Sequence, residues 1–325
     1  MLGSWVRAPG GSQDRSIASV FFFLQKYNMN IRIIVNPISG TEAARKRAKK
    51  AVICLEEEFN IKAVKTEYAS HATILTHEAV KEGADIVVAV GGDGTVNEIA
   101  SALVGTDTAL YIVPTGSGNG LARDLGMFGL SNKQIIERIH KNQPYKIDCG
   151  EVLDRKFFCT CGSGFDAYIG HLFAETKVRG FLTYIKLSLS AYKNYTPLTY
   201  DLSFTSSKST GDSTETYIRE TAFVANIANN KQFGNNAYIA PMANMQDGLF
   251  TVTIIKPFKW YHIPYMAYSL FFQKMHKNKF VKTFDCGDCT LTLPKGASLH
   301  IDGEPIKTNA DRVNIKMIPS ALKVL

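Results

Sequence analysis

The chain has 325 residues, 45% of them hydrophobic and 20% charged, with a formal net charge of +8 at neutral pH. This balance excludes a disordered polymer and predicts an ordinary soluble globular protein, long enough for two domains. The positive charge suits nucleotides or acidic phospholipid surfaces, and no nucleic-acid partner is expected, because no basic cluster interleaved with aromatics and no known nucleic-acid module is present.

Residues 1–28 are Gly/Ser-rich with one short apolar run, 17–24, too short to span a bilayer. They read as an extension ahead of a fold that begins near Met29, or alternatively as a segment that touches a membrane. From residue 30 strands and helices alternate. A strand over 31–35 leads into the turn Asn36-Pro37-Ile38-Ser39-Gly40. Ser39 and Glu42 have capping-box spacing, which predicts a helix to about 59. A strand over 61–68 and a helix over 72–82 follow, the helix ending at Gly83. The apolar run 86–90 predicts a buried strand that ends in Gly91-Gly92-Asp93-Gly94. Thr95 and Glu98 then suggest another capping box and a helix through 103. A strand over 109–113 runs into a Gly-rich turn, 114–120, and a helix to 125; Ser131 and Gln134 open one more, to about 140. Such alternation predicts a mostly parallel sheet covered on both faces, with ligands at the C-terminal ends of its strands. Three turns occupy those ends: 36–40, 91–95 and 115–120.

After residue 145 the texture changes. A hairpin over 147–161 turns at Asp154-Arg155, and a helix is expected over 169–193. Strands are expected over 198–204, 221–227, 249–255, 290–293 and 298–301, with an amphipathic helical stretch over 260–275. Lacking crossover helices, the second domain reads as antiparallel β. A last strand over 313–317 has no place assigned by the pattern. Cys286 and Cys289 with Cys159 and Cys161 invite a zinc reading. The spacing and the β-like surroundings favour buried free thiols of a reducing compartment instead.

The chemistry concentrates in the Gly-rich turns. Strand, glycine turn and helix N-terminus together aim several backbone N–H groups at one place, an arrangement that binds phosphate. Asp93 is the odd residue there, because a carboxylate repels phosphate unless a metal or a reacting hydroxyl lies between them. Chemistry on a nucleotide phosphate accounts for it better than binding alone.

Six ordered motifs carry a family resemblance over residues 29–325: Asn36-Pro37-Ile38-Ser39-Gly40, Gly91 through Glu98, Pro114 through Asn119, Gly164-Phe165-Asp166-Ala167, Asp247-Gly248-Leu249 and Asp302-Gly303-Glu304-Pro305. They resemble the diacylglycerol kinase catalytic family, which includes bacterial lipid kinases and the sphingosine and ceramide kinases. The resemblance implies an α/β nucleotide-binding domain like those of NAD kinase and phosphofructokinase over 29–146, completed by about 308–325. It implies an antiparallel β-sandwich-like lipid-substrate domain over 147–307, with the active site between the two. Implied ATP contacts are Asn36, Pro37, Ile38, Ser39, Gly40, Thr66, Gly92, Asp93, Gly94, Thr95, Val96, Asn97, Glu98 and Ser117. Asp93 matches the essential aspartate near the γ-phosphate. Glu304, with Asp302, matches the family's Asp-Gly-Glu base, and the sequence leaves open which of Asp93 and Glu304 takes the proton.

Further matches are implied for substrate and metal. Asp166 matches an aspartate facing the lipid headgroup in sphingosine kinases, and Arg179 is a candidate phosphate contact. Asn244, Asp247 and Leu249 resemble a structural Mg²⁺ site built from hard oxygen donors, with a plain Asp-Gly turn as the competing reading. The aromatic stretches 181–192 and 260–272 are candidate linings for a lipid pocket. Lys256, Lys259, Lys274, Lys277 and Lys279 flank the second stretch and fit an anionic membrane surface or a solvated edge. The expectation is therefore a cytoplasmic, peripherally membrane-associated lipid kinase using ATP and Mg²⁺, with a homodimer admitted. NAD kinase activity, or a non-catalytic lipid- or nucleotide-binding protein on the same scaffold, are the alternatives.

Overall fold

A computed structural model describes residues 29–116, 118–176, 181–207 and 213–325. The expectations for residues 1–28, Ser117 and Arg179 lie outside the described residues. The first domain is built on β1 (Ile31–Val35), β2 (Val64–Lys65), β3 (Ile86–Gly91) and β4 (Ala109–Pro114), ordered β2-β1-β3-β4 and all parallel. Helices α1 (Glu42–Phe59), α2 (His71–Lys81), α3 (Asp93–Leu103), α4 (Gly120–Asp124) and α5 (Asn132–Lys141) intervene between or follow these strands. Every residue of β3 is buried, which is why its run of β-branched residues shows no polar alternation: a parallel strand covered on both faces has no solvent side.

The chain then lays down β5 (Tyr145–Val152), β6 (Arg155–Phe157), β7 (Thr160–Gly164), α6 (Phe165–Ala174), α7 (Phe181–Tyr192), β8 (Leu198–Ser207), β9 (Ser213–Ala222), β10 (Val224–Ala228) and β11 (Phe250–Ile255). It closes with α8 (Ile263–Phe271), β12 (Val281–Cys286), β13 (Cys289–Thr292), β14 (Leu299–Ile301), β15 (Glu304–Ile306) and β16 (Arg312–Val324). A six-stranded antiparallel sheet, β12-β11-β10-β7-β14-β15, faces β8, β9 and β13. Between them lies a separate core that includes Phe157, Leu202, Phe250, Leu291 and Ile315. The long strand β16 joins the two halves: it pairs with β13 and β5, and its end reaches β4, Val324 lying opposite Leu110.

Several local expectations change, each for a physical reason. Helix α3 starts at Asp93 with Gly92 as its extended N-cap, not at Thr95. The Thr95 hydroxyl is already taken, accepting a hydrogen bond from Asn36 Nδ2 at 2.8 Å, while Glu98 accepts from the Ser70 amide. Thr41, not Ser39, caps α1, because it adjoins the first turn and accepts from Ala44 N. The strand over 61–68 shrinks to β2, two residues long. The helix over 169–193 divides into α6 and α7. The hairpin over 147–161 is β5–β6 alone, turning at Leu153-Asp154 with positive φ at both, while β7 leaves for the other sheet. The capping box at Ser131 and Gln134 is present on α5. All six cysteines are free thiols, and no cluster of three or more His, Cys, Asp or Glu suited to a metal occurs among the described residues. None of the described helices is long and apolar enough to cross a membrane.

Candidate active site

Three turns meet at the C-terminal edge of the parallel sheet. The Asn36 amide donates to Val90 O, and the Thr115 amide to Gly91 O, so the turns after β1 and β4 are both pinned to the end of β3. Asn36 Oδ1 accepts from Ile38 N while its Nδ2 reaches Thr95, which shapes the first turn and ties it to α3. Ser39 and Thr115 hydroxyls lie 3.0 Å apart. The contact is close enough that only glycine fits: a Cβ on Gly40, where φ is +79°, would sit 1.9 Å from Thr115 O, and one on Gly92 would sit 2.8 Å from Ser39 Oγ. Exposed Pro37 and Ile38 form the lip of this hollow, and Thr66 sits beside it, its amide bonded to Val35 O. Gly92, Gly94 and Thr95 present the N-terminal turn of α3, whereas the Val96 side chain is turned into the core.

Asp93 explains how the third turn is held. Its two carboxylate oxygens accept from the amides of Asn119 and Gly120 at 2.9 and 3.0 Å. Both amides belong to the start of α4, so the carboxylate stands where a short helix exposes unpaired donors. Arg123 braces the same turn, donating from Nε to Gly118 O at 2.8 Å while its guanidinium covers the Phe128 ring. Burial holds Arg123 below the ordinary arginine range, against the pull of Tyr238 and Asp93. From the second domain, Gly234 packs on Gly118, and the Gln232 and Phe233 carbonyls close on Gly120. Arg123 and this loop were invisible in the sequence, because nothing local distinguishes them.

Asp302 and Glu304 arrive from the turn between β14 and β15. Glu304 is exposed, and its Oε1 would lie 3.1 Å from a Cβ on Gly94, so it borders the same hollow as Asp93. Asp302 instead turns inward. Its carboxylate accepts from Phe158 N, Cys159 N and Thr160 N and from Asn97 Nδ2, all at 2.8–3.0 Å. Burial pushes its pKa above the usual carboxylate range while those four donors pull against the shift. Asn97 also donates to Lys156 O, so its side chain bridges the domains.

Asp166 lies in the first turn of α6, its Oδ2 3.1 Å from His300 Nε2. His300 and Asn226 are both buried, and His300 Nδ1 and both Asn226 amide atoms find no hydrogen-bond partner among the described residues. Both side chains border the space that Gly162 leaves open. This polar cluster under α6 was not foreseen; a histidine and an asparagine in alternating strands give no local signal. Phe165, next to Asp166, stacks on Phe223 and meets Tyr192 and Tyr195 edge-on. On the far side of those rings opens an aromatic groove of about 790 Å³, lined also by Phe258, Trp260 and Tyr261. Of the two stretches named as pocket candidates, 181–192 contributes only Tyr192 and 260–272 only Trp260 and Tyr261; the rest of the lining lies between them in the chain.

Asn244, Asp247 and Leu249 form an exposed turn, with Asp247 accepting from Leu249 N and Asn244 from Gln246 N. Burial raises the Asp247 pKa, and the neighbouring Asp285 and Asp148 charges raise it further. Both Asp148 oxygens are committed to the Gly248 and Ser320 amides.

The pattern of the family described as "Diacylglycerol kinase catalytic domain" matches residues 30–152, and that of "YegS C-terminal NAD kinase beta sandwich-like domain" matches 159–325. A Shewanella frigidimarina protein named a probable lipid kinase, YegS-like, is 28% identical over 308 residues, covering 90% of this chain and 93% of its own. A diacylglycerol kinase of Mycobacterium tuberculosis is 29% identical over 231 residues, 69% of this chain and 72% of the relative. The crystal structure of a Bacillus anthracis diacylglycerol kinase superposes with a TM-score of 0.64 at 17% identity, covering 91% of this chain and 96% of that one; at that identity the likeness speaks for the fold.

Proposed function

Since the chain belongs to the diacylglycerol kinase catalytic family, we propose that it transfers the γ-phosphate of ATP to a hydroxyl of a diacylglycerol- or sphingoid-type lipid. The observation that carries this reading is the meeting of three glycine turns and two carboxylates, Asp93 and Glu304, at one hollow. ATP lies with its phosphates against the N-terminal turn of α3 and the turns around Ser39 and Thr115, where amides and short hydroxyls receive anionic oxygens. Thr66 and Ser117 complete the nucleotide contacts.

Glu304 receives the proton of the acceptor alcohol. Exposed at the hollow and uncommitted to the backbone amides that occupy Asp93 and Asp302, it is the carboxylate best placed to do so. As that proton moves, the alcohol oxygen bonds to the γ-phosphorus, the bond to the bridging oxygen breaks, and ADP leaves. Asp93 holds the Asn119–Gly120 amides so that the three turns keep one geometry, and Asp302 fixes the turn that carries Glu304. Most of the acceleration comes from positioning and charge neutralisation. Mg²⁺ supplies part of that neutralisation when bound with the nucleotide, and a second, structural ion would be held by Asp247 with the Asn244 and Leu249 carbonyls.

Asp166, backed by His300 and Asn226, faces the headgroup side, with Arg179 as a further phosphate contact. The aromatic groove beyond Phe165 takes the hydrocarbon. Lipid held in a bilayer makes the protein peripherally membrane-associated on the cytoplasmic side. The test is incubation of purified protein and labelled ATP with diacylglycerol, monoacylglycerol, sphingosine, ceramide and NAD. Label in a lipid is the expected result; label in NAD alone, or in none, overturns the proposal.

A further inference from the structure

Residues 256–279 contain five lysines and no aspartate or glutamate, a large share of the excess charge of the whole chain in one stretch. All five, Lys256, Lys259, Lys274, Lys277 and Lys279, are exposed. Helix α8 crosses this stretch with its polarity reversed. Met266 and Leu270 pack inward on the core around Phe223 and Met275, and Ser269 is buried. Tyr265, Tyr268 and Phe272, at the i, i+3, i+7 spacing of one helical face, point out and are 39%, 43% and 65% exposed. Trp260 at 72% and Tyr261 at 53% continue the same face ahead of the helix. An outer helical face is ordinarily polar, and contiguous exposed aromatics mark a surface that is covered in use.

We infer that this face docks on an anionic bilayer, with the tyrosines and Trp260 at headgroup depth and the lysines against the lipid phosphates. Charge complementarity selects the occupant. Five lysines with no acidic residue among them repel a second copy of the same face, and the acidic contact found among the described residues, Glu220 on Lys256, lies at its edge. Tryptophan and tyrosine prefer the interfacial zone, and basic residues around them add electrostatic attraction. Lys259, Trp260 and Tyr261 belong both to this face and to the rim of the aromatic groove, so docking opens the groove directly onto the lipid. The inference rests on the lipid-kinase reading for its purpose but not for its test.

The full-length protein is floated with phosphatidylcholine vesicles containing or lacking phosphatidylglycerol. Binding is expected only with the anionic lipid and is lost as salt rises. With Trp5 replaced by phenylalanine so that Trp260 is the sole indole, emission shifts to the blue on binding and is quenched by brominated acyl chains. Removing a surface lysine weakens binding roughly fivefold, so K277E/K279E falls at least twenty-fivefold by the same reckoning, and F272S removes the quenching without altering the fold. Neither variant touches the phosphate hollow or the groove, so both retain activity on a short-chain acceptor presented as monomers and lose it on vesicles. Unchanged vesicle binding by both variants, or a dimer that both dissociate, overturns the docking inference. If no lipid is phosphorylated but the variants still decide vesicle binding, the docking face stands and the kinase reading fails. If monomeric acceptor is phosphorylated and wild-type protein ignores anionic vesicles, the reverse holds.

Discussion

Replacing Gly40 by alanine tests whether the proposed phosphate hollow depends on contact between separate turns. Two penalties arise. The residue has φ +79°, a conformation that costs an L-residue roughly 1–2 kcal/mol. The new Cβ would also stand 1.9 Å from Thr115 O, and restoring ordinary contact at 3.4 Å requires the turns to part by about 1.5 Å. Misplacement of about 1 Å at a reacting centre can lose about 100-fold in rate. Gly83→Ala is the control, since its φ is +72° but nothing lies within 4 Å of the added atom. It should lose only the conformational term, a few degrees of melting temperature at about 2–4 °C per kcal/mol, with turnover unchanged. Gly40→Ala should lose about twice that stability or more, counting about 1–3 kcal/mol for the clash, and turnover should fall at least about 100-fold. Melting curves and steady-state phosphorylation of a lipid acceptor, measured on both variants, decide the matter. Equal behaviour of the two would refute the convergence of the turns.

Asp93→Asn leaves one of the Asn119 and Gly120 amides facing an NH₂ group, so stability should drop by about 1.5–3 kcal/mol, the worth of a hydrogen bond to a charged group, together with turnover; denaturant titration and kinetics read both. Glu304→Gln should change stability by less than about 0.5 kcal/mol, as befits an exposed side chain, while turnover falls about 10²–10⁴-fold; retained activity would assign the proton to another group. Cysteine reactivity follows from burial. Burial pushes Cys149 up to about 12 and raises Cys159 and Cys161, and Cys289 is raised by its hydrogen bond to Cys286 and by burial. The thiolate is the reactive species, so a disulfide reagent at pH 8 should modify only half-buried Cys54 in the native protein, and raising the pH to 9 should add nothing; all six react on unfolding.

What the sequence disclosed was what depends on neighbours in the chain. The box at Ser131 and Gln134 closes within one helical turn, and the β-branched run of β3 declares its burial directly. The box at Thr95 and Glu98 failed because Asn36, 59 residues away, had claimed the threonine hydroxyl. Strand β12 escaped notice since it forms a sheet edge, half exposed and interrupted by Lys282 and Asp285. Strand β16 was read only over 313–317 because Pro319 and Ser320, with φ +51° at the serine, break the pattern at a bulge between Ile318 and Leu322. Asp148 spans that irregularity by accepting from Ser320 N, an interaction no local pattern encodes. The motif residues were legible, but not the direction each one faces. Asn97 and Asp302 sit inside the matching motifs and yet bond to one another across the domains.

That bond has a consequence for the chemistry. Helix α3 offers its N-terminal turn to the hollow between the glycine turns, and one turn further along Asn97 holds Asp302, whose turn delivers Glu304. Asp93 on the same helix holds the start of α4. A single 11-residue helix therefore holds both the third glycine turn, through Asp93, and the turn that carries Glu304, through Asn97. Relative motion of the domains is restrained at the same place, where Asn97 also grips Lys156 O, and again at β16, which pairs with strands on both sides. Asn97→Ala should accordingly leave the nucleotide hollow intact, and nucleotide binding with it, while releasing Asp302 from one of its four donors. The expected signature is a fall in turnover with little change in nucleotide affinity, measured by separate titration and rate experiments. A matching loss of both would mean that Asn97 contacts the nucleotide itself and that the helix does not couple the two sides.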